Sequence, residues 1–476
     1  MERYIRRVRV EGMFGRKPEL VVDFTPADNC IYGVNGSGKT VLINLIVAAL
    51  QVDVNTLFAL PFSTIKILTS PTGGKKESNF FTVNKFGDSI SYIFHEDIDV
   101  PSRTLVDSTE STSLSKIEKD KSYKFSIRHA RGDAPRRSHD FKKTISRYVS
   151  LTYIPLLRMH DSSGKADDVL LYEMRRQRLS DREISEFLDP SMRVLKKLQD
   201  EFSGRYTRAQ SQIASELESL KSTIFERLLF EELDNKDEAN KYVTKILSSR
   251  EVGDERSAED VITQIKDLNL EVPEERIRKH FSIWNDMKLT LLKTLDAFNS
   301  AEKKDGKKGF AEKEYKAYSQ AYFNLISSVR QFQKFDQVIK LIYDMQSRKS
   351  ELLSKFSSFK KEVNDFLSEG KEVSFSDVGI FIITSGGEPV SLQDLSSGEK
   401  HILAILGRVC LSSFTGTTVF IADEPELSLH LEWQRQILPS IRRLSPDTQV
   451  IVATHAPAII SEKAQKINLR KCYKNG

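Results

Sequence analysis

Cysteine is scarce: the 476 residues hold three, Cys30, Cys410 and Cys472, far apart in the chain. Neither a disulfide framework nor a C-x-x-C metal pair can be drawn from them, so a reducing, cytoplasmic compartment is expected. Long hydrophobic runs are missing too. The most apolar stretch, Val41 to Phe62, is broken by Asn44, Gln51, Asp53 and Asn55, and the opening MERYIRRVRVEG puts charge where a signal peptide needs apolar residues. That stretch reads as a buried helix, and no membrane partner is expected. Nor is there a strong excess of one charge: 72 Lys and Arg against 67 Asp and Glu leave +5, which does not by itself imply nucleic acid.

Glycine and proline become rare between about Asp167 and Leu367, where Lys, Glu, Gln, Leu and Ser recur at helical spacing. One apolar stripe runs through Leu195, Leu198, Phe202, Ala209, Ile213, Leu217, Leu220, Ile224 and Leu228. A second runs through Tyr322, Leu325, Val329, Phe332, Phe335 and Ile339. Two long helices packed on each other, each of roughly 35 residues, would explain both. On either side the pattern is β-like. Tyr4 to Val10 and Leu20 to Phe24 alternate, Cys30 to Tyr32 is a short apolar strand, and Ala59 to Ile98 suggests a small peripheral sheet. Leu151 to Leu157, VSFSDVGIFIITSGG, Thr418 to Ala422 and Gln449 to Ala453 supply further strands. The simplest architecture is an α/β head in two pieces, residues 1–165 and 371–476, split by a helical insertion, 166–370.

Gly33, Val34, Asn35, Gly36, Ser37, Gly38, Lys39 and Thr40 match G-x-x-x-x-G-K-[ST] between a strand and a helix. Such a loop curls backbone N–H groups around a phosphate chain. Lys39 is placed to reach the β- and γ-phosphates, and the Thr40 hydroxyl to bind Mg²⁺. The strand Thr418 to Ala422 ends in Asp423 and Glu424, adjacent acids that point different ways: Asp423 for the Mg²⁺ shell, Glu424 to polarise the attacking water. Ser396, Ser397 and Gly398, at the start of the helix His401 to Leu411, form a second small-residue turn suited to an anion. One triphosphate does not need two cradles, so this one is expected to contact ATP held by another subunit; a structural N-cap at Ser396 or Ser397 is the alternative. His455, after the last strand, could touch the γ-phosphate.

Taken in order, GVNGSGKT, LSSGE, ADEPE followed by ELSLH, and TH resemble the Walker A, signature, Walker B, D-loop and switch-histidine elements of the ABC/SMC ATPases. The resemblance covers about the first 50 and the last 90 residues. It implies an ABC/SMC-type head with a short coiled-coil-like insertion, ATP and Mg²⁺ as cofactors, and Lys39, Glu424 and His455 as catalytic residues. The signature departs from LSGGQ at Ser397 and Glu399, and no Q-loop glutamine stands near Leu151 to Arg158. DEPELSLHLEWQ is similar to the OLD-like ATPases of bacterial anti-phage systems, although no toprim nuclease domain is expected to follow His455. The PARIS ATPases are the best match and the Septu ATPases the second. That resemblance implies a homo-oligomer built from ATP-sandwiched dimer units, with a hexamer as the larger form. It also implies a separately encoded toprim-like nuclease partner and a phage-encoded trigger, with a DNA mimic as one form. A RecF-like or SMC-like DNA-repair ATPase that binds nucleic acid directly, and an ATP-stabilised scaffold, are the alternatives.

The most uneven charge lies between Lys116 and Arg147, where eleven Lys and Arg, among them Arg136, Arg137, Lys142 and Lys143, face four acids, with aromatics interleaved. This segment is expected either to be a solvated loop or to present a positive surface to a polyanion.

Overall fold

A computed structural model describes residues 3–71, 78–94, 112–117, 122–128, 137–154, 190–230, 236–249, 257–304, 311–367, 370–376, 378–416 and 418–474. The first half runs β1 (Arg3–Glu11), β2 (Glu19–Asp23), β3 (Asp28–Tyr32), α1 (Lys39–Gln51), α2 (Val54–Ala59), β4 (Thr64–Pro71), β5 (Ser78–Phe86), β6 (Ser89–Phe94), β7 (Thr112–Ile117), β8 (Ser122–Arg128), α3 (Arg137–Tyr148) and β9 (Leu151–Ile154). Helices follow: α4 (Pro190–Phe230), α5 (Lys236–Ser249), α6 (Ala258–Asp267), α7 (Glu274–Lys304) and α8 (Ala311–Asn364). The chain then returns to β10 (Lys371–Phe375), β11 (Phe381–Ser385), β12 (Glu388–Val390), α9 (Ser397–Ser413), β13 (Val419–Asp423), α10 (Leu431–Leu444), β14 (Gln449–Thr454), β15 (Gln465–Asn468) and β16 (Tyr473–Lys474). It is an α/β head with mixed sheets, interrupted by a long helical insertion.

Two compact units emerge, 1–205 with 355–476, and 206–354. In the first, β15-β3-β14-β13-β9 form a parallel sheet, and an eight-stranded sheet takes the order β16-β2-β1-β4-β5-β6-β8-β7. Every residue of β13 and β14 is buried, as expected of parallel strands covered on both faces. On one face Leu42, Leu45 and Ile46 of α1 share a core with Val419, Ile421, Ile451 and Ala453. The sheet expected around 59–98 is part of the larger eight-stranded one. A register shift between Ile5 and Arg7 lets Ile5 and Val8, three apart, both face the interior. The apolar run from Val41 is not one helix: Val52 takes a left-handed φ of 55° and Asp53 caps α2, accepting from Thr56 N–H.

Two buried amides tie the first unit together. Gln449 accepts from Ile5 N–H at 2.9 Å and donates to the carbonyls of Ile5 and Thr25, while Asn29 donates to those of Thr25, Ala27 and Val450. Each gives buried backbone groups hydrogen-bond partners, and the Ala27 carbonyl accepts from Val450 N–H as well. At the roots of the two longest helices, Phe202 of α4 meets Phe356 and Phe359 of α8 and Phe381 of β11, with centroids 4.7 to 6.1 Å apart.

In the second unit Ile213 and Leu220 of α4 share a core with Ile339, Ile342 and Met345 of α8. Phe335 packs against the same core, but most of the second stripe has other partners. Leu325, Val329 and Phe332 pack with Val243 and Ile246 of α5 and Trp284 and Leu291 of α7, and Trp284 stacks on Phe332 at 3.9 Å. Periodicity identified the buried face of α8, but a third long helix, α7, takes much of it. Among the described residues no helix is long and apolar enough to cross a membrane.

Candidate active site

The parallel sheet brings the expected residues together at the carboxyl ends of adjacent strands. β3 leads into the loop 33–40, β14 beside it into His455, and β13 beside that into Asp423 and Glu424. The loop enters α1 through Gly38, whose φ of 94° suits glycine; a Cβ there would stand 2.9 Å from Met13 Cε and Phe14 Cε2. No side chain caps α1, so its first N–H groups face a cleft of about 730 Å³. Phe14, residues 35–41, Glu424 and His455 line it.

Lys39 is almost wholly buried, with Nζ 3.0 Å from the Gly33 carbonyl and 2.5 Å from His455 Nε2. Burial lowers its pKa, against the opposing pull of Glu424, Asp423 and Glu426. Asp423, 2 % exposed, has neither carboxylate oxygen in a well-formed hydrogen bond. Burial raises its pKa, Glu424 and Glu426 push the same way, and the nearby Thr40 hydroxyl and Lys39 oppose them. Glu424 adopts a left-handed φ of 46°, uncommon for a residue with a side chain. The turn sends its carboxylate away from the buried Asp423 to stand 3.5 Å from His455 Nε2. This is how neighbouring acids come to occupy different surroundings. A buried carboxylate with no well-formed hydrogen bond, glycines that open a helix N-terminus, and a cleft of this size fit a nucleotide and a divalent cation.

Ser396, Ser397 and Gly398 do not line this cleft. Ser396 is the N-cap of α9 in a capping box: its Oγ accepts from Glu399 N–H at 3.2 Å and its own N–H donates to Glu399 Oε2 at 2.8 Å. The structural alternative therefore accounts for the Ser396 hydroxyl. Glu399, at a signature position that departs from the usual pattern, also pairs with Lys371 at 3.0 Å. Ser397 is exposed, and Gly398 is pressed against the Ser428 carbonyl, where a Cβ would approach to 2.9 Å.

Two residues beside the site escaped sequence reasoning. Glu426 is buried and holds the turn at 454–456, and its signal was a third acid two residues after Glu424. Phe14, 42 % exposed with φ 57°, borders the cleft, and the Arg16 guanidinium lies over its ring; no motif marked it. Of the basic segment, Arg136 and the side chain of Arg137 lie outside the described residues, as does the segment around Arg158 searched for a Q-loop. Lys142 and Lys143 are exposed on α3.

The family described as "AAA domain, putative AbiEii toxin, Type IV TA system" matches residues 180–461, more than half of the chain. Among curated proteins, the Retron Ec83 probable ATPase of Escherichia coli is 31 % identical over 88 residues, 16 % of each chain. The Retron Vc95 probable ATPase of Vibrio cholerae serotype O1 biovar El Tor is 24 % identical over 143 residues, 26 % of this chain and 28 % of that one. Septu protein PtuA of Bacillus thuringiensis is 28 % identical over 126 residues, 22 % and 31 %. The chain thus spans less than a third of each relative's length. Among solved structures it is similar to the Smc head domain with an extended coiled coil bound to the C-terminal domain of ScpA, from Pyrococcus furiosus. There the TM-score is 0.36 at 14 % identity, over 96 % of this chain and 91 % of that one.

Proposed function

Because the chain belongs to the family of AAA domains described as putative AbiEii toxin, Type IV TA system, we propose that it binds Mg-ATP in the cleft after β3 and hydrolyses it. The observation that carries this reading is the convergence of Lys39, Glu424 and His455 on one cleft at the ends of three neighbouring strands, with the buried Asp423 next to Glu424. The N–H groups of residues 36–40 and Lys39 bind the phosphates, and Thr40 and Asp423 would hold a Mg²⁺ ion, which would supply positive charge to the phosphate oxygens. Glu424 accepts the proton of the attacking water, His455 reports the γ-phosphate, and Phe14 offers a ring to the base. Lys39→Ala removes the cleft's cation and should abolish ATP binding, whereas Glu424→Gln should bind ATP and fail to turn it over. Filter binding with product assays separates them, and equal ATP affinity in the two variants overturns the assignment.

The site is completed in trans: Ser397 and Gly398 contact ATP held by a second copy, so that ATP joins two heads. Their place outside their own cleft supports this. Two inactive variants, Lys39→Ala and Ser397→Arg, should then recover hydrolysis when mixed, because a mixed dimer contains one intact site. No recovery in demonstrably mixed oligomers means a self-contained site. The oligomer acts as a sensor of the PARIS (AriA-like) type, restraining a separately encoded nuclease until a phage protein is met; the resemblance of DEPELSLHLEWQ and the Septu relative support that reading. ATPase activity stimulated by DNA alone would favour a repair role instead.

A further inference from the structure

We infer that Glu426 is the positioning residue that sets His455 between Lys39 and Glu424, an inference that rests on the ATP site proposed above. Its carboxylate leaves the turn after β13 and reaches the turn after β14, the next strand in the sheet. There a single oxygen, Oε1, accepts from the Thr454 hydroxyl at 2.6 Å, His455 N–H at 2.8 Å and Ala456 N–H at 3.1 Å. Two of these donors are backbone groups at a strand end, where the ladder has stopped. A backbone bond, Glu424 N–H to the Ala453 carbonyl at 2.8 Å, adds a fourth tie between the same two turns.

The consequence falls on the imidazole. His455 Nε2 lies 2.5 Å from Lys39 Nζ and 3.5 Å from Glu424 Oε1, so a small shift of its peptide carries the ring away from both. Glu426 does not itself line the cleft and acts through His455. A carboxylate that merely braced two strand ends would lower stability when removed, with no particular dependence on the histidine.

The test compares Glu426→Ala, Glu426→Gln, His455→Ala and the Glu426→Ala/His455→Ala double variant in the full chain. Turnover of Glu426→Ala should fall about 10- to 100-fold while KM for ATP moves less than about threefold. Glu426→Gln, which keeps an oxygen at the same reach, should recover to within about threefold of the parent. The double variant should be no slower than His455→Ala alone, since both changes remove one interaction. In the nucleotide-free chain, the amides of His455 and Ala456 should exchange with solvent about tenfold faster in Glu426→Ala, with melting little changed. Additive losses in the double variant, a glutamine variant as slow as the alanine one, or unaltered exchange would each overturn the inference. If the parent chain fails to hydrolyse ATP, the proposed function falls, while exchange in the alanine and glutamine variants still decides whether Glu426 fixes this turn.

Discussion

The head and the helical unit handle polar groups differently. In the head, Gln449, Asn29 and Glu426 are buried and each meets several donors or acceptors within 3.2 Å. In the helical unit, Arg278 pairs with Glu259 and Glu274, and Arg348 with Glu216 and Glu351, on accessible surface, while the described interior holds two apolar clusters and one buried cation, Lys288, whose Nζ lies 5.1 Å from the Trp284 ring. Buried polar contacts are directional and fix atoms to within a few tenths of an ångström, as a phosphate site requires. Apolar contacts fix faces and leave sequence freer. The contrast separates a region tied by buried polar bonds from one held mainly by apolar faces.

The largest effect should come from the head. Glu424→Gln should slow ATP turnover about 10²- to 10⁴-fold, the range of a lost general base, without lowering melting temperature. Leu325→Ala, in the helical unit, should do the reverse: about 2–5 kcal/mol of stability lost from a cavity beside Trp284 and Phe332, with turnover per folded molecule unchanged. Denaturant titration and steady-state assays on both variants check this, and a rate defect in folded Leu325→Ala would break the comparison.

A smaller effect concerns His401, buried in α9 with Nδ1 2.6 Å from the Leu427 carbonyl. Burial draws its pKa below the ordinary value, against that carbonyl and Glu426. The unfolded chain then takes up the proton more readily, so this part of the stability is present above about pH 6.5 and is lost as pH falls toward the lowered folded value. His401→Gln should flatten the fall in melting temperature between about pH 7 and 5. An equally steep fall would show that other groups control it. Smallest of all, Arg278→Ala should leave the melting curve where it was, because its ion pairs stand in water.

Much of the site was legible because each piece is local: the loop 33–40 needs glycines at fixed offsets, and β13 announces itself as an apolar run ending in acids. Glu426 was not legible, because its purpose depends on β14 lying beside β13. The same holds for α8, whose buried face the stripe revealed but whose neighbours α5 and α7 it could not. Ser396 reads equally as a phosphate contact or a cap in sequence; in the structure Glu399 completes a capping box with it.

By itself, then, the sequence determined the elements: which segments are strands, which helical faces are apolar, and which loop has glycines at the spacing of a phosphate cradle. These follow from backbone geometry and side-chain period, which act over a few residues. Only the tertiary structure decided that Lys39 and His455, 416 positions apart, would touch. It also decided that Glu426 would hold the turn that carries His455. Such contacts depend on strand order, and no local pattern encodes which strand becomes a neighbour.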